Sequence, residues 1–189
     1  MSKPIVILCE DVAQQNFTRR LVQRRGYTNR DIYAEALPVG RGAGDRHVLL
    51  HYPKHVGSVR TESAYRRRCL VAAIDADRQT VDQRHRQLDE ALASCQDLRE
   101  DQRQPRGPRE PIAVFVPKRH IETWIDYLLE GGPVSEDEQS QRHGKVEPRQ
   151  CRDAADHFLE LARQDTPADC PSSLTRGLRE LPRIREANV

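Results

Sequence analysis

Three apolar runs of this chain each end on charged side chains. The runs occupy residues 5–9, 69–74 and 112–116. The acidic residues that follow them are, in chain order, Glu10, Asp75, Asp77 and Glu122. Carboxylate oxygens are the ligands that Mg²⁺ and Mn²⁺ prefer, and carboxylates held close together repel one another unless a cation lies between them. If the three runs are neighbouring strands, the pattern therefore predicts a divalent-cation site.

The spacing of Asp75 and Asp77 is part of this pattern. In an extended segment alternate side chains point to the same side, so both carboxylates would face one ion. A bound ion of this kind stabilises charge that develops on a phosphoryl oxygen and activates a water molecule. Aspartate is also common in turns, so the spacing alone is weak evidence for a metal site. Glu10 and Glu122, at equivalent strand ends, strengthen that evidence.

The elements that position these residues are predicted from apolar periodicity. Strands are expected at residues 5–9, 31–37, 69–74 and 112–116, and helices at 12–25, 47–60, 80–99, 121–129, 149–163 and after Ser172 or Ser173. Alternating strands and helices predict an α/β fold with a parallel sheet flanked by helices, in which ligands bind at the carboxyl ends of the strands. We expect a core at 1–130 with a helical insertion at about 40–68. A small helical C-terminal extension, 131–189, would pack on the core or on a partner.

Two further predictions concern charged residues. The segment at 100–111 has no apolar anchor and is interrupted by proline, so a mobile loop is expected there. Arg84 and Arg86 are assigned to the outer face of the helix at 80–99.

The composition limits the range of functions. Of 189 residues, 32% are charged and 5% are aromatic, which predicts a small aliphatic core and a heavily solvated surface. The formal net charge is +2, so an argument for nucleic-acid binding must rest on local clusters. Five cysteines without a Cys-x-x-Cys pair, no leader-like segment and no run long enough to span a bilayer indicate a soluble, cytoplasmic protein without a membrane partner.

Three sequence segments resemble a known family. ILCE at 7–10 and VAAIDAD at 71–77, in a βαβ frame, resemble the TOPRIM domain of topoisomerases, primases, recombination proteins and OLD-family nucleases. VPKRHIETWI at 116–125 is similar to small stand-alone TOPRIM proteins of the OLD-like branch, many of which belong to prokaryotic defence systems. The resemblance covers about residues 5–129. It departs from the family at Asp11, where many TOPRIM sequences have glycine, and in the length of the segment at 41–68.

The resemblance implies a TOPRIM-like sheet and a metal-dependent nuclease. Glu10 would act in metal binding or acid–base chemistry, Asp75 and Asp77 would bind Mg²⁺ or Mn²⁺, and Glu122 would complete the site. The residues expected to contact the phosphate backbone of DNA or RNA are Lys118, which is also a catalytic candidate, Arg119, Arg66, Arg67 and Arg68. The implied partner is a separate ATPase or another defence-system subunit, because the glycine-rich segment at 40–44 lacks the Gly-Lys-Ser/Thr of a phosphate-binding loop. A homo-oligomer is possible.

Two other functions remain open at this stage. A receiver-like phospho-acceptor module also has acidic residues after its first strand, an aspartate such as Asp75 and a lysine such as Lys118. A catalytically silent scaffolding subunit would use the apolar faces of the last helices for docking. His120 is either a proton donor at the site or part of its rim.

Overall fold

The sheet of this protein is parallel throughout. The computed structural model describes residues 4–39, 43–62, 68–136 and 146–187. Its strands are β1 (Ile5–Cys9), β2 (Ile32–Ala34), β3 (Cys69–Ala73) and β4 (Ile112–Phe115), in the order β2-β1-β3-β4. Each neighbouring pair is parallel, and six helices flank the sheet. The chain therefore has a Rossmann-like α/β fold, as the alternation of strands and helices predicts.

The helices cover both faces of the sheet. They are α1 (Val12–Arg24), α2 (Gly44–Glu62), α3 (Val81–Ser94), α4 (Ile121–Glu130), α5 (Pro148–Leu161) and α6 (Ser172–Glu180). Side chains of α2 and α3 pack on one face, and those of α1, α4, α5 and α6 pack on the other. The chain adds β2 on one side of β1 and then β3 and β4 on the other side. The direction of winding thus changes between β1 and β3, where a crevice opens at the carboxyl ends of the strands.

The strands are apolar because both of their faces are buried. In β1, Ile5, Ile7 and Cys9 enter one core, while Val6 and Leu8 enter the other. A parallel strand covered by helices on both sides reads as a continuous apolar run. The three runs that the sequence analysis identified are β1, β3 and β4, and the weaker predicted strand contains β2.

The C-terminal helices belong to the same core as the sheet. Phe158 of α5 stacks on Trp124 of α4, with ring centroids 6.1 Å apart, and contacts Phe17 and Phe115 edge-on. Gly177 of α6 lies so close to Trp124 that a Cβ atom there would be 2.5 Å from the ring. The apolar faces of α5 and α6 are thus covered by this chain itself.

The segment at 100–111 is anchored, contrary to the expectation of a mobile loop. Glu110 lies 2.7 Å from the Nε of Arg60, and Arg106 forms an ion pair with Glu180. Gln102, in a short 3₁₀ turn, is buried. The anchors are charged groups contributed by distant elements, which a search for apolar residues within the segment does not detect.

The helix α2 begins earlier and ends later than predicted, and it continues through Pro53. It connects β2 to β3 and packs on the sheet as a crossover helix, through buried residues such as Val48 and Val56. Residues 40–42 and 63–67 of the predicted insertion, and much of the glycine-rich segment, lie outside the described residues.

Candidate active site

A cleft of about 610 Å³ opens where β1 and β3 end, at the change of winding direction. Five of its lining residues are acidic, namely Glu10, Asp11, Asp45, Asp75 and Asp77. Its basic lining residues are Arg84, Arg119 and His120. The cleft therefore combines hard oxygen donors with cationic groups at the place where ligands bind in open α/β sheets.

Glu10 directly follows β1 and is mostly buried. Burial raises the pKa of the Glu10 carboxyl to about 8; the Arg84 guanidinium opposes this rise, and the charge of Asp45 adds to it. The Oε1 atom is buried and accepts no hydrogen bond from any described residue. A buried carboxylate oxygen without a donor lacks the stabilisation that either a proton or a cation would supply.

Asp75 lies next to Glu10, one strand further along the sheet, and is only 9% exposed. Burial raises the pKa of Asp75 well above its usual range, and the charges of Glu10, Asp11 and Glu122 raise it further. Its Oδ1 accepts a hydrogen bond of 2.8 Å from the side-chain amide of Gln14. Two adjacent strand ends thus place two buried carboxyl groups within each other's electrostatic field.

Gln14, in the first turn of α1, connects these two strand ends. Its Oε1 accepts from the backbone N–H of Glu10 at 3.0 Å, and its Nε2 donates to Asp75. A backbone N–H can only donate, so the amide must present its oxygen to Glu10 and its NH₂ group to Asp75. Asp11 fixes the same turn by accepting from the backbone N–H of Gln14 at 2.8 Å. Gln14 therefore requires Asp75 Oδ1 to act as an acceptor.

Asp77 does not face the cleft in the way that its spacing predicts. Its φ is +56°, in the left-handed region, and its side chain is exposed. The expectation of an extended Asp75–Asp77 segment is wrong because the chain turns here, with the N–H of Gln79 donating to the carbonyl of Ala76. The two aspartates consequently occupy different environments: Asp75 is buried inside the cleft, and Asp77 lies on its exposed rim.

Glu122 lies in the first turn of α4 and contacts His120. Its Oε2 is 3.2 Å from the Nδ1 of His120. Burial raises the pKa of Glu122, but the contact with His120 and a backbone N–H at the start of α4 together outweigh this, and the pKa falls below its usual value. Glu122 is not a lining residue of the cleft; its charge nevertheless raises the pKa of Asp11 and Asp75. It thus contributes negative potential to the site and lies beside the histidine that lines it.

Arg84 is a further site residue, and the prediction that it lies on the outer face of α3 is wrong. It is 3% exposed, not on the outer face of α3, and its Nε donates to the backbone carbonyl of Asp75 at 2.7 Å. One of its terminal nitrogens lies 3.6 Å from a carboxylate oxygen of Asp45. Arg84 precedes Leu88 and Leu92 by four and eight residues, so it shares their buried face. That periodicity was the signal available in the sequence.

The predicted phosphate-contacting residues are dispersed. Arg119 lines the cleft and donates to the backbone carbonyl of Asp77 at 3.1 Å. Lys118 points elsewhere: its Nζ donates to the carbonyl of Gln79 at 2.9 Å, and it lines a second cavity. Arg68 pairs with Glu62 just before β3 begins, at the opposite end of the strand from the cleft. Arg66 and Arg67 lie outside the described residues.

The donors fit a cation that is held by few protein ligands. Within the described ranges no three Asp, Glu, His or Cys side chains converge closely enough to form a complete metal site. Glu10 and Asp75 supply two carboxylates, and the unpartnered Oε1 of Glu10 is a free oxygen donor. Mg²⁺ is usually bound through one or two carboxylates, with water or phosphate oxygens in its remaining positions. This donor set suits such an ion.

The fold and the cleft define the class of this protein: a Rossmann-like α/β protein with a carboxylate cleft at the change of winding direction. Comparisons of the chain with protein-family models, curated proteins and solved structures found no match. Across the parts of the chain that the structure describes, every helix is too short or too polar to cross a bilayer.

Proposed function

We propose that this protein is a metal-dependent phosphodiesterase that cleaves nucleic acid, with its centre at Glu10 and Asp75. The observation that supports this proposal is the pair of buried carboxyl groups at adjacent strand ends, both with a raised pKa. Neither group is neutralised by a direct carboxylate–arginine pair among the contacts of the described residues. A divalent cation would compensate both charges at once.

Six residues in or beside the cleft have a role in this proposal. Glu10 and Asp75 would hold Mg²⁺ or Mn²⁺, with Asp77 at the rim and the charge of Glu122 behind them. When bound, such a cation stabilises charge on a phosphoryl oxygen and lowers the pKa of a coordinated water. Arg119 would bind the scissile phosphate from the cleft wall. His120, which lies beside Glu122, would donate a proton to the leaving oxygen.

The biological setting rests on the TOPRIM resemblance alone. It suggests DNA or RNA as the substrate and a cytoplasmic effector of prokaryotic anti-phage defence, acting with a separate ATPase or another subunit.

Two observations disfavour the other candidate functions. A receiver module needs Lys118 beside Asp75, whereas Lys118 contacts Gln79. A scaffold would dock through the faces of α5 and α6, which the chain itself buries.

The test is cleavage of labelled DNA and RNA by the purified protein, with Mg²⁺, with Mn²⁺ and with a chelator. We expect metal-dependent cleavage that Glu10→Gln and Asp75→Asn each reduce by at least ~100-fold, because each substitution removes a charged ligand worth several kcal/mol to the transition state. The matched control is Glu160→Gln, which alters an exposed carboxylate of α5 and should retain full activity.

Mn²⁺ binding by calorimetry is the second readout, since it does not depend on the choice of substrate. Wild type should bind Mn²⁺, and Asp75→Asn should bind it at least ~10-fold more weakly while keeping the wild-type circular dichroism spectrum. Cleavage that persists in the chelator, or in folded Asp75→Asn protein, would refute the proposed site.

A further inference from the structure

A second cavity, of about 960 Å³, lies beside the acidic cleft. It is formed by the start of α3, the loop after β4, and α6 with the segment before it. The loops after β3 and β4 lie between the two cavities. Lys118 lines the second cavity and the next residue, Arg119, lines the cleft, while Asp77 lines the cleft and Thr80 lines the second cavity. The loops after β3 and β4 therefore present different side chains to each cavity.

The second cavity has an excess of positive charge. Its basic residues are Lys118, Arg176 and Arg179. Arg176 is compensated by Asp82, 2.5 Å away. The partner of Lys118 is a backbone carbonyl, which carries no formal charge. Arg179 is exposed and forms no ion pair with another described residue.

The one other carboxylate among the lining residues of the second cavity belongs to Glu180, and its partners lie outside the cavity. Glu180 forms an ion pair with Arg106, lies 3.4 Å from Arg183 and accepts a hydrogen bond from the backbone N–H of Val114 at 3.1 Å. Its charge is thus balanced by two arginines that are not lining residues of the cavity. Lys118 and Arg179 are left as cations facing a space of ligand size.

The cavity can also donate hydrogen bonds to an oxyanion. Thr166 and Thr175 are among its lining residues, and the Thr175 side chain already contacts the thiol of Cys170. At the start of α6 the N–H and hydroxyl groups of Ser172 already bind the carboxylate of Glu136, each at 2.8 Å. A ligand would therefore be held by the side chains of Lys118, Arg179 and Thr166, and not by the helix terminus.

We propose that this cavity binds a backbone phosphate of the nucleic-acid strand, next to the phosphate that is cleaved in the acidic cleft. The inference rests on the proposed function and extends it, because it makes the substrate a polynucleotide and not a small phosphodiester. Every nucleotide of a strand carries one phosphate, so a strand held in the cleft presents further phosphates to an adjoining cationic space.

The test compares Arg179→Gln with Arg30→Gln. Arg30 is likewise exposed, but it lies before β2, at the other end of the sheet. Binding of a short fluorescein-labelled single-stranded oligonucleotide is measured by anisotropy in Ca²⁺ at several salt concentrations. Arg179→Gln should weaken binding by about tenfold, the effect of one charged hydrogen bond. It should also reduce the slope of log affinity against log salt by about 0.7. Arg30→Gln should change neither quantity.

Hydrolysis of bis(p-nitrophenyl) phosphate with Mn²⁺ separates this inference from the proposed function. This small diester occupies only the acidic cleft, so Arg179→Gln should hydrolyse it at the wild-type rate. Equal oligonucleotide affinity in the two arginine variants would overturn the second phosphate site, and so would a wild type that does not bind the oligonucleotide. A slower diester reaction in Arg179→Gln would also overturn it. If the wild-type protein does not hydrolyse the small diester at all, that result would instead refute the proposed function.

Discussion

Glu10 couples the stability of the fold to pH. Burial raises the pKa of its carboxyl from 4.5 to about 8 in the folded chain. Between these values the folded protein keeps a proton on Glu10 that the unfolded chain releases. Because the folded state then binds more protons than the unfolded state, the free energy of unfolding must fall as the pH rises through this window.

We therefore expect the metal-free protein to become less stable between about pH 5 and pH 8. The loss from Glu10 is at most about 1.4 kcal/mol per pH unit. Urea unfolding, followed by the fluorescence of the single tryptophan, measures it. Glu10→Gln should reduce the slope with pH, leaving the contribution of Asp75. Saturating Mn²⁺ should abolish most of the slope, since the cation replaces the proton.

Glu160→Gln, which alters an exposed carboxylate, should keep the wild-type slope. A metal-free wild type whose stability does not change over this range would contradict the raised pKa, as would an unaltered slope in Glu10→Gln.

The sequence revealed the acidic residues of the cleft but not the residues that hold them. Glu10 and Asp75 were recognisable because they end buried apolar runs, and parallel strands bring such ends together. Gln14 carries no charge, and its role depends on a contact with Asp75, 61 residues away. Arg84 lies on the buried face of α3, where a cation is acceptable only because Asp45 and the carbonyl of Asp75 are nearby.

At the scale of elements, α2 determines where Glu10 lies. The first residue of this helix, Gly44, packs directly on the end of β1. A Cβ atom at Gly44 would lie 2.8 Å from the Cβ of Glu10 and 3.0 Å from its carbonyl oxygen. Both atoms belong to the backbone or are attached to it directly, so neither moves away easily. The start of α2 and the strand end thus fit each other only if residue 44 lacks a side chain.

We expect Gly44→Ala to displace Glu10 and weaken Mn²⁺ binding, and to destabilise the fold by about 1–3 kcal/mol through overpacking. Gly177→Ala is the matched control. It introduces a similar clash, 2.5 Å from the Trp124 ring, but far from Glu10 along the chain and on another helix. Both variants should unfold at lower urea concentration, while only Gly44→Ala should lose Mn²⁺ affinity in calorimetry. Equal Mn²⁺ affinity in the two variants would show that the α2 contact does not position the site.

The strands were predictable from the sequence where burial on both faces requires a continuous apolar run. β1, β3 and β4 are buried on both faces, and their apolar runs gave the α/β fold. Asp77 was not predictable in the same way, since the pairing with the segment after β4 ends at Ala76, whose N–H donates to the carbonyl of Pro117, and the chain turns at the next residue. The segment at 100–111 is likewise ordered by ion pairs with α2 and α6, which a reading of local composition cannot detect.

The whole molecule is organised around an aromatic cluster that joins its early and late segments. Phe17 of α1, Phe115 of β4, Trp124 of α4 and Phe158 of α5 contact one another with ring centroids 5.6–6.5 Å apart. Each of the four side chains is at most 1% exposed. Since α5 supplies one ring of this cluster, the sheet and the C-terminal helices cannot separate without opening the core.

We expect this arrangement to make the described chain unfold as one cooperative unit, and Phe158→Ala tests that expectation. Removing a fully buried ring should lower the free energy of unfolding by about 3–5 kcal/mol. Leu161→Ala, at a partly buried position of the same helix, should cost clearly less. In both variants the urea transitions seen by Trp124 fluorescence and by far-ultraviolet circular dichroism should coincide, as a single transition requires. If α5 and α6 were instead an independent appendage, Phe158→Ala would split the two transitions, with circular dichroism losing helix signal at urea concentrations where the sheet remains folded.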